Sequence, residues 1–435
     1  MKAKRTLFIC ALVVVMGSKI SLHFWGNLMA SANIRTYFPL SWDLGIRESR
    51  TNMRLRLRLA AELARTPPPA VREPGDPPVS PTVVPHVLLL VVESFRADAI
   101  DSSTTPFLDS LRRGSWDFGD HSSTANCTPF SVFSIVTGAW PTRYQELPMG
   151  RLQGEGLVRT FPEHEFWTGN GVSWTYWDQD RTLFKGFRNL LAGQPLPTSD
   201  SILFLRYLGM RDTTRRPSLA FLMLNTTHYN YEVDTDDVVA KPYYGPMFDF
   251  RNMDASAATR LHARYTNAVH LLDRRLAWFF RKLRSRGMLD GTLILVTGDH
   301  GEEYFETGRL THSLDPNTWE SRVPLIVRWK TGKGRILHGS SHMQIPHLLA
   351  LAAQGAPDQA SDSGDIHQPE ISMVYNSVPM PGRPEVAGFL KNGAQLLYMP
   401  TSTGFTVQAN PPDREWSDDD LRRISALLRS SALRP

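Results

Sequence analysis

Four short apolar runs follow the first 85 residues of the chain and predict buried strands. They occupy residues 87–92, 219–224, 293–296 and 323–327. Continuous apolar runs of this length are typical of strands that are buried on both faces of a parallel sheet. The last run contains Pro324, which predicts either an edge position or the start of a strand, because proline cannot donate a hydrogen bond to a neighbouring strand.

A long helical pattern lies between the second run and the third. Its apolar positions recur at steps of three and four, and Gly287 follows as a stop signal. The positions are Leu261, Tyr265, Ala268, Leu272, Leu276, Phe279 and Leu283. Strands that alternate with helices predict a doubly wound α/β fold, with a mostly parallel sheet flanked by helices.

The end of the chain has a different pattern. Residues 396–399 and 405–408 flank a turn-prone stretch and predict a hairpin. Residues 418–428 predict a final helix with Ser417 as its N-cap. We expect residues 356–435 to form a small subdomain that completes a main domain of residues 86–355.

The N-terminus combines positive charge with an apolar run. Lys2, Lys4 and Arg5 precede it, and residues 7–29 reach the ~20 residues needed to cross a bilayer. We therefore expect residues 1–32 to be an uncleaved signal anchor. A cleaved secretory signal is the alternative, since residues 30–32 offer small side chains. Either form would export the rest of the chain.

Residues 33–85 are first basic and then rich in proline. The arginines between Arg35 and Arg72 predict a juxtamembrane segment that faces anionic head groups, or else a solvated helix face. Within this segment, residues 52–65 have the pattern of a surface helix. The prolines of residues 66–85 predict a stiff, extended linker.

The composition of the chain excludes several classes of protein. Apolar residues make up 41% of the chain, and the mean hydropathy is −0.27. These values exclude whole-chain disorder and a multi-span membrane protein. Two cysteines, Cys10 and Cys127, cannot build a disulfide framework. The net charge is +5, but no recognition motif accompanies it, so we expect no nucleic-acid partner.

Candidate metal ligands follow two of the predicted strands. Glu93 comes directly after the first strand, and Asp299 and His300 come shortly after the third. The carboxyl ends of parallel strands meet at one edge of a sheet, where ligands bind. Carboxylates combined with imidazole favour Zn or Mn over Ca or Mg. A helix-capping glutamate and a core histidine are the structural alternatives.

The segment of residues 121–138 carries a candidate nucleophile. Small hydroxyl residues precede Thr128, and Pro129 resembles the start of a helix. A hydroxyl at a helix N-terminus lies among free N–H groups that favour an anionic ligand. Beside a metal ion, Thr128 would be an activated nucleophile. The alternative is that Thr128 only caps the helix.

Several segments resemble the alkaline phosphatase/sulfatase superfamily. They stand in the family's order and include VVESFRAD, NCTPFSVFSIVTG and LVTGDHGEEYFETGRLTHS. The likeness is greatest to membrane-anchored lipoteichoic-acid synthases, phosphoethanolamine transferases and YejM-type sulfatase-domain proteins. It implies one divalent metal, Zn or Mn, at Glu93, Thr128, Asp299 and His300, with Thr128 as the nucleophile. It also implies that His228 helps hold the transferred group and that His312 lies near the leaving group.

The same resemblance implies a function in the bacterial cell envelope. We expect an inner-membrane phosphoester transferase or hydrolase that acts on a phospholipid or envelope glycan through a phospho-threonine intermediate. One alternative is a non-catalytic regulator that binds lipid or protein. Another is a sulfuric ester hydrolase whose Cys127 becomes formylglycine. Against the latter, Ser131 stands where the cysteine motif of sulfatases has arginine.

Other polar residues are weaker candidates. Trp177, Asp178, Asp180 and Arg181 line an acceptor pocket or are ordinary surface residues. Glu302 and Glu303 are candidates to support the metal ligands. We expect His262 and His270, on the long helix, to be structural.

Overall fold

The computed structural model describes most of the chain from residue 49 onward. The described residues are 49–65, 85–149, 152, 156–169, 182–194, 198–211, 216–245, 248, 253–313, 316–330, 332–336, 339–355, 372–376, 386–401 and 404–431. The predicted anchor, the linker of residues 66–84 and the stretch from Trp177 to Arg181 lie outside them. Among the described residues, no helix is both long and apolar enough to span a membrane.

Strands and helices alternate over the first part of the chain. The strands are β1 (His86–Val92), β2 (Trp116–Phe118), β3 (His121–Ser122), β4 (Glu165–Thr168), β5 (Arg188–Asn189), β6 (Ser218–Leu224), β7 (Thr292–Gly298), β8 (Glu303–Tyr304), β9 (Leu310–Thr311), β10 (Leu325–Arg328), β11 (Gly334–Ile336), β12 (Ser340–Ser341), β13 (Ser372–Asn376), β14 (Val386–Lys391), β15 (Ala394–Thr401) and β16 (Gly404–Asn410). The α-helices are α1 (Arg50–Arg65), α2 (Pro106–Arg113), α3 (Thr128–Thr137), α4 (Leu157–Thr160), α5 (Asp200–Arg211), α6 (Ala258–Ser285), α7 (Thr318–Ser321), α8 (Ile345–Gln354) and α9 (Asp418–Ser430).

In the described part of the chain, the main sheet has eight strands in the order β11-β2-β10-β7-β1-β6-β4-β5. Every pairing is parallel except those of β10, which runs antiparallel to both β7 and β2. The predicted α/β fold with a mostly parallel sheet is therefore confirmed. Pro324 directly precedes β10, so the strand-start prediction is correct. The edge prediction is wrong, because β10 has a neighbour on each side.

Side chains of β1 alternate between two cores, one on each face of the sheet. Leu89 packs with residues of α3 and α8, whereas Leu90 packs with residues of α5 and α6. Helices thus cover both faces, which explains why the β1 run is apolar at every position. The long predicted helix is α6, and Gly287, with φ of +66°, follows its last turn as predicted.

A second sheet, antiparallel throughout, contains β13, β14, β15 and β16 in that order. Its last two strands are the predicted hairpin. The predicted final helix is α9, and the Ser417 hydroxyl accepts a hydrogen bond from the backbone N–H of Asp420, as expected of an N-cap. The sheet thus extends the hairpin by two strands that the pattern did not indicate.

Helix α1 packs against α9 and β16, far along the chain. Its buried side is formed by Leu55, Leu59 and Leu63. Arg58 donates to Asp418 at 2.7 Å, and Arg429 of α9 donates to the carbonyl oxygen of Leu63 at 2.7 Å. Part of the basic segment predicted from residues 33–85 therefore belongs to the folded body of the protein.

Candidate active site

Three acidic or imidazole side chains meet where β1 and β7 end. The strands are adjacent and in register, with Val92 opposite Gly298. The next residues are Glu93 on one chain segment and Asp299 and His300 on the other. Nε2 of His300 lies 3.4 Å from Oε1 of Glu93 and 3.4 Å from Oδ2 of Asp299. All three side chains are buried.

Thr128 joins this group as the first residue of α3. Its hydroxyl donates to the Glu93 carboxylate, with Oγ1 3.0 Å from Oε1 and 3.1 Å from Oε2. The same oxygen is 3.4 Å from Nε2 of His300. The N-cap position of α3 belongs to Cys127. The expectation that Thr128 only caps the helix is therefore wrong.

The Asp299 carboxylate has one fixed oxygen and one without a partner. Oδ1 accepts hydrogen bonds from the backbone N–H groups of Ser94 at 2.9 Å and His300 at 2.7 Å. Oδ2 is buried and has no hydrogen-bond partner among the described residues, and Nε2 of His300 lies 3.4 Å from it. A buried, unpaired carboxylate oxygen is costly unless a cation binds it.

The imidazole of His300 is oriented by its other nitrogen. Nδ1–H donates to the carbonyl oxygen of Gly301 at 2.8 Å. This bond leaves Nε2 facing Glu93, Asp299 and Thr128, which is the orientation of a histidine that binds a metal once Nε2 has lost its proton. The donor set of two carboxylates, one imidazole and one hydroxyl therefore fits a divalent transition-metal ion.

The pKa shifts of Asp299, Glu93 and His300 in the absence of a metal also favour a cation at this place. Burial raises the pKa of Asp299, and the nearby Glu93 charge raises it further. Burial also raises the pKa of Glu93, but the hydrogen bond to His300 and the neighbouring histidine charges outweigh it and hold that pKa below its usual range. Burial opposes the charge on His300, yet Asp299 and Glu93 raise its pKa to about 10. A positive charge is thus favoured between the two carboxylates.

His312 lies beside these residues, on the segment after β9. Its ring centroid is 4.2 Å from that of His300, and potential ligand atoms of Glu93, His300 and His312 all lie within 4.8 Å of one another. Nδ1–H of His312 donates to Oε1 of Glu302 at 3.1 Å. Glu302 thus supports His312, whereas Glu303 accepts from Thr307 and Asn317 and organises the neighbouring loop.

His228 approaches from a third strand. It follows β6, the other neighbour of β1, and is partly exposed. Nδ1–H donates to the carbonyl oxygen of Tyr229 at 2.6 Å. The hydroxyl of the preceding residue, Thr227, donates to the carbonyl oxygen of Glu93 at 2.5 Å, so His228 lies at the same edge of the sheet.

Cys127 adjoins the site but differs from Thr128 in its surroundings. Its thiol is buried, and burial raises its pKa well above the usual range. Ser131, at the position of the sulfatase arginine, uses its hydroxyl to bind the carbonyl oxygen of Ala125 at 2.9 Å. Of Cys127 and Thr128, Thr128 is therefore the residue whose side chain contacts both Glu93 and His300.

Arg96 is a buried residue near the site that the sequence did not single out. It donates to the carbonyl oxygen of Glu302 at 3.1 Å and forms ion pairs with Asp98 and Glu306. These contacts tie the segment after β1 to the segment after β7. An arginine three residues after Glu93 was the available signal, but two of its partners, Glu302 and Glu306, are more than 200 residues away. His270 is structural as expected, since Nδ1–H donates to the carbonyl oxygen of Thr104.

Comparison with known proteins places this arrangement in a family. The family model described as Sulfatase matches residues 85–354, more than half of the chain. The chain therefore belongs to the sulfatase family. It is a sulfatase-like hydrolase or transferase of the alkaline phosphatase superfamily, whose members use a divalent metal.

Individual relatives are distant. Lipoteichoic acid synthase 1 of Bacillus subtilis (strain 168) is 23% identical over 311 residues, which cover 61% of this chain and 45% of that protein. The chain thus spans less than half of the length of that relative.

Two solved structures share the alkaline-phosphatase-like fold. The lipoteichoic acid synthase LtaP from Listeria monocytogenes has a TM-score of 0.54 at 17% identity, covering 81% of this chain and 91% of that one. An alkaline phosphatase superfamily protein from Vibrio parahaemolyticus has a TM-score of 0.54 at 16% identity, covering 88% and 95%.

Proposed function

We propose that this sulfatase-family chain is a phosphoester transferase or hydrolase of the cell envelope. Thr128 is the nucleophile and becomes phosphorylated during turnover. The substrate is a phospholipid or an envelope glycan head group. The likeness to lipoteichoic acid synthase 1 supports phosphoester chemistry. The contacts of Thr128 with Glu93 and His300 favour it over sulfate ester chemistry at Cys127.

The observation that carries the proposal is the position of the Thr128 hydroxyl. It is 3.0 Å from Glu93 and 3.4 Å from His300, and it lies in the first turn of α3. The free N–H groups of a helix N-terminus attract the anionic oxygens of a phosphoryl group. The hydroxyl therefore lies where a phosphoryl group and a cation would both be held.

Glu93, Thr128, Asp299 and His300 would hold one divalent ion, Zn²⁺ or Mn²⁺. The unpaired Oδ2 of Asp299 and the directed Nε2 of His300 support this set. When bound, such an ion favours the ionised form of a neighbouring hydroxyl and polarises a phosphoryl oxygen.

The chain's own residues supply the remaining steps. Oγ1 of Thr128 attacks phosphorus in line with the leaving oxygen, so the Oγ1–P bond forms as the bond from phosphorus to the leaving oxygen breaks. The hydroxyl proton passes to solvent before the attack, because Glu93, whose pKa is held below its usual range, is a poor base. His312 gives a proton to the leaving oxygen, and His228 stabilises the charge that develops on the phosphoryl group.

A second in-line attack completes turnover. The oxygen of water or of an acceptor hydroxyl attacks phosphorus and gives its proton to His312, which lost one in the first step, as the bond from phosphorus to Oγ1 of Thr128 breaks. Water makes the protein a hydrolase, and a lipid or sugar hydroxyl makes it a transferase.

For location, we propose that residues 1–32 anchor the chain in a bacterial inner membrane, with the catalytic domain outside the cytoplasm. The apolar run of residues 7–29 supports this location.

The test compares two adjacent side chains. Full-length protein is incubated with bis(4-nitrophenyl) phosphate and Zn²⁺ or Mn²⁺, and peptides containing residue 128 are examined for a phosphate adduct by mass spectrometry. Thr128→Ala should abolish the adduct and lower turnover about 10³-fold or more. Thr128→Ser should retain both in part, because serine keeps the hydroxyl.

Cys127→Ser is the matched control and should leave the adduct and the turnover in place. The opposite pattern would overturn the proposal. If 4-nitrophenyl sulfate is hydrolysed, and Cys127→Ser rather than Thr128→Ala abolishes turnover, the protein is a sulfuric ester hydrolase.

A further inference from the structure

Helix α1 has two sides of different character. One side, centred on Leu59, is buried against α9 and β16. A helix turns 100° per residue, so the side opposite Leu59 faces away from the body of the protein. On an ordinary surface helix, that side carries polar residues of both charge signs.

The outward side of α1 is instead apolar and basic. Met53 and Leu57, one turn apart, are 43% and 57% exposed, and both are large apolar residues. Arg50 and Arg54 alternate with them along the same side. The side continues towards the C-terminal end of the helix with Ala61, Ala64 and Arg65.

Acidic residues are absent from this outward side of α1. Glu62 lies on a flank and pairs with Arg65 at 2.8 Å. Asp418 of α9 lies near the same flank and pairs with Arg58 at 2.7 Å. Arg50 and Arg54 make no ion pair with any described residue, so their charges are available to an anionic partner.

We propose that the outward side of α1, formed by Arg50, Met53, Arg54 and Leu57, lies on the surface of an anionic phospholipid bilayer. Interleaved arginines and large apolar residues on one helix side match the two layers of that surface. The guanidinium groups meet the phosphates, and the apolar side chains enter the boundary between head groups and acyl chains.

The position of α1 in the chain favours this partner over a protein or a second copy. The apolar run of residues 7–29 ends 20 residues before Ser49, the first described residue. Since an extended chain spans at most ~3.6 Å per residue, α1 lies within about 70 Å of the end of that run. The rigid packing of α1 on α9 would then fix the orientation of the whole catalytic domain relative to the bilayer.

The test places a fluorescent reporter on α1 of the full-length chain. Leu57→Cys is labelled with nitrobenzoxadiazole in a Cys10→Ser background, where the remaining Cys127 is buried. The protein is reconstituted in vesicles of phosphatidylcholine alone or with phosphatidylglycerol. We expect stronger, blue-shifted emission and quenching by doxyl-labelled lipid in the vesicles that contain phosphatidylglycerol, and reversal by high salt.

Two double variants that remove the same number of charges test whether the arginines of α1 cause the docking. Arg50→Ser/Arg54→Ser should lower the docked-to-undocked ratio of α1 about 30-fold, since each arginine at an anionic surface contributes roughly fivefold. Arg281→Ser/Arg284→Ser removes two exposed charges from α6 and should change nothing. Circular dichroism checks that each variant is folded.

Three results would overturn the inference. The label could stay in water on both kinds of vesicle. Its emission could be indifferent to loss of Arg50 and Arg54. Alternatively, the emission could rise with protein concentration rather than with phosphatidylglycerol, which would make a second copy of the chain the partner. None of these outcomes depends on catalysis, so they are separate from the test of Thr128.

Discussion

Nδ1 of His312 lies 3.1 Å from Oε1 of Glu302, a fully buried carboxylate. The carboxylate can only accept, so Nδ1 carries the proton and Nε2 is the atom that faces the site. Glu302 is itself fixed, because Arg96 donates to its carbonyl oxygen. Glu302 is therefore a positioning residue for the group that we propose to protonate the leaving oxygen.

Removing this support should reduce turnover without unfolding the protein. We expect Glu302→Ala to lower kcat for bis(4-nitrophenyl) phosphate about 10–100-fold, with KM nearly unchanged, because His312 loses its orientation. Glu302→Gln keeps an acceptor oxygen and should be milder. Glu303→Gln is the control: its carboxylate contacts loop residues, so it should reduce thermal stability more than kcat. Equal kcat in Glu302→Ala and wild type would contradict this role.

Asp299→Asn should affect stability in opposite directions with and without metal. The substitution keeps Oδ1, which accepts two backbone hydrogen bonds, but removes a charge that is buried beside Glu93. In excess chelator, we expect the variant to unfold at a temperature equal to or above that of wild type. With Zn²⁺ or Mn²⁺, wild type should gain stability by binding and the variant should gain little.

Metal content provides the direct measurement for the same variant. Elemental analysis of purified wild type should find close to one Zn or Mn per chain, and Asp299→Asn should lose it. A folded wild type that takes up neither ion would contradict the proposed ligand set.

We expect His86, which lies far from the candidate active site, to make the stability of the protein fall in acid. Nδ1 accepts hydrogen bonds from the backbone N–H of Ser218 and from Arg211. Burial and then the Arg211 charge lower the pKa of His86 to about 4. The unfolded chain takes up a proton near pH 6.5, which the native protein does not bind until about pH 4. Stability should therefore fall as the pH drops through this window.

The matching variant is His86→Asn, which retains an acceptor but does not titrate. Urea unfolding between pH 7.5 and pH 4 should show a shallower loss of stability for the variant than for wild type. Parallel curves would show that His86 binds protons alike in the native and unfolded chain.

The packing of α1 can be tested by comparing two leucines of the same helix. Leu59 is fully buried against α9 and β16, whereas Leu57 is 57% exposed. Leu59→Ala should reduce the free energy of unfolding by about 2–5 kcal/mol, because it leaves a cavity. Leu57→Ala should change it by less than about 0.5 kcal/mol. Urea unfolding of both variants gives the comparison, and similar values for the two would contradict the packing.

The strands that hold the site were predictable because the sheet buries both of their faces. Residues 87–92, 219–224 and 293–296 are apolar at every position for this reason, and the acids that follow two of these runs fall at a common edge. Strand direction was not predictable. The apolar run of residues 323–327, which overlaps β10, would have the same pattern in a parallel or an antiparallel strand, and its antiparallel pairing appears only in the fold.

Contacts between residues that are distant in the chain could not be predicted from the sequence either. The leucines of α1 indicate a helix with one apolar side, but nothing local identifies α9 as the surface that covers it. The hydroxyl of Thr128 poses the same problem, because a helix start and a nucleophile share one local pattern. Its contact with Glu93, 35 residues earlier, is the observation on which we base the proposal of a nucleophile.

The packing of α1 against α9 has a consequence for how the chain folds. The hydrogen bond between Arg58 and Asp418 closes a loop of 360 residues. During synthesis, α1 emerges well before β16 and α9, so its apolar side has no cover until these elements have followed. Contacts of such high sequence separation form late and slowly. The leucine side of α1 is thus the surface on which a holding chaperone would act while the rest of the protein is still being made.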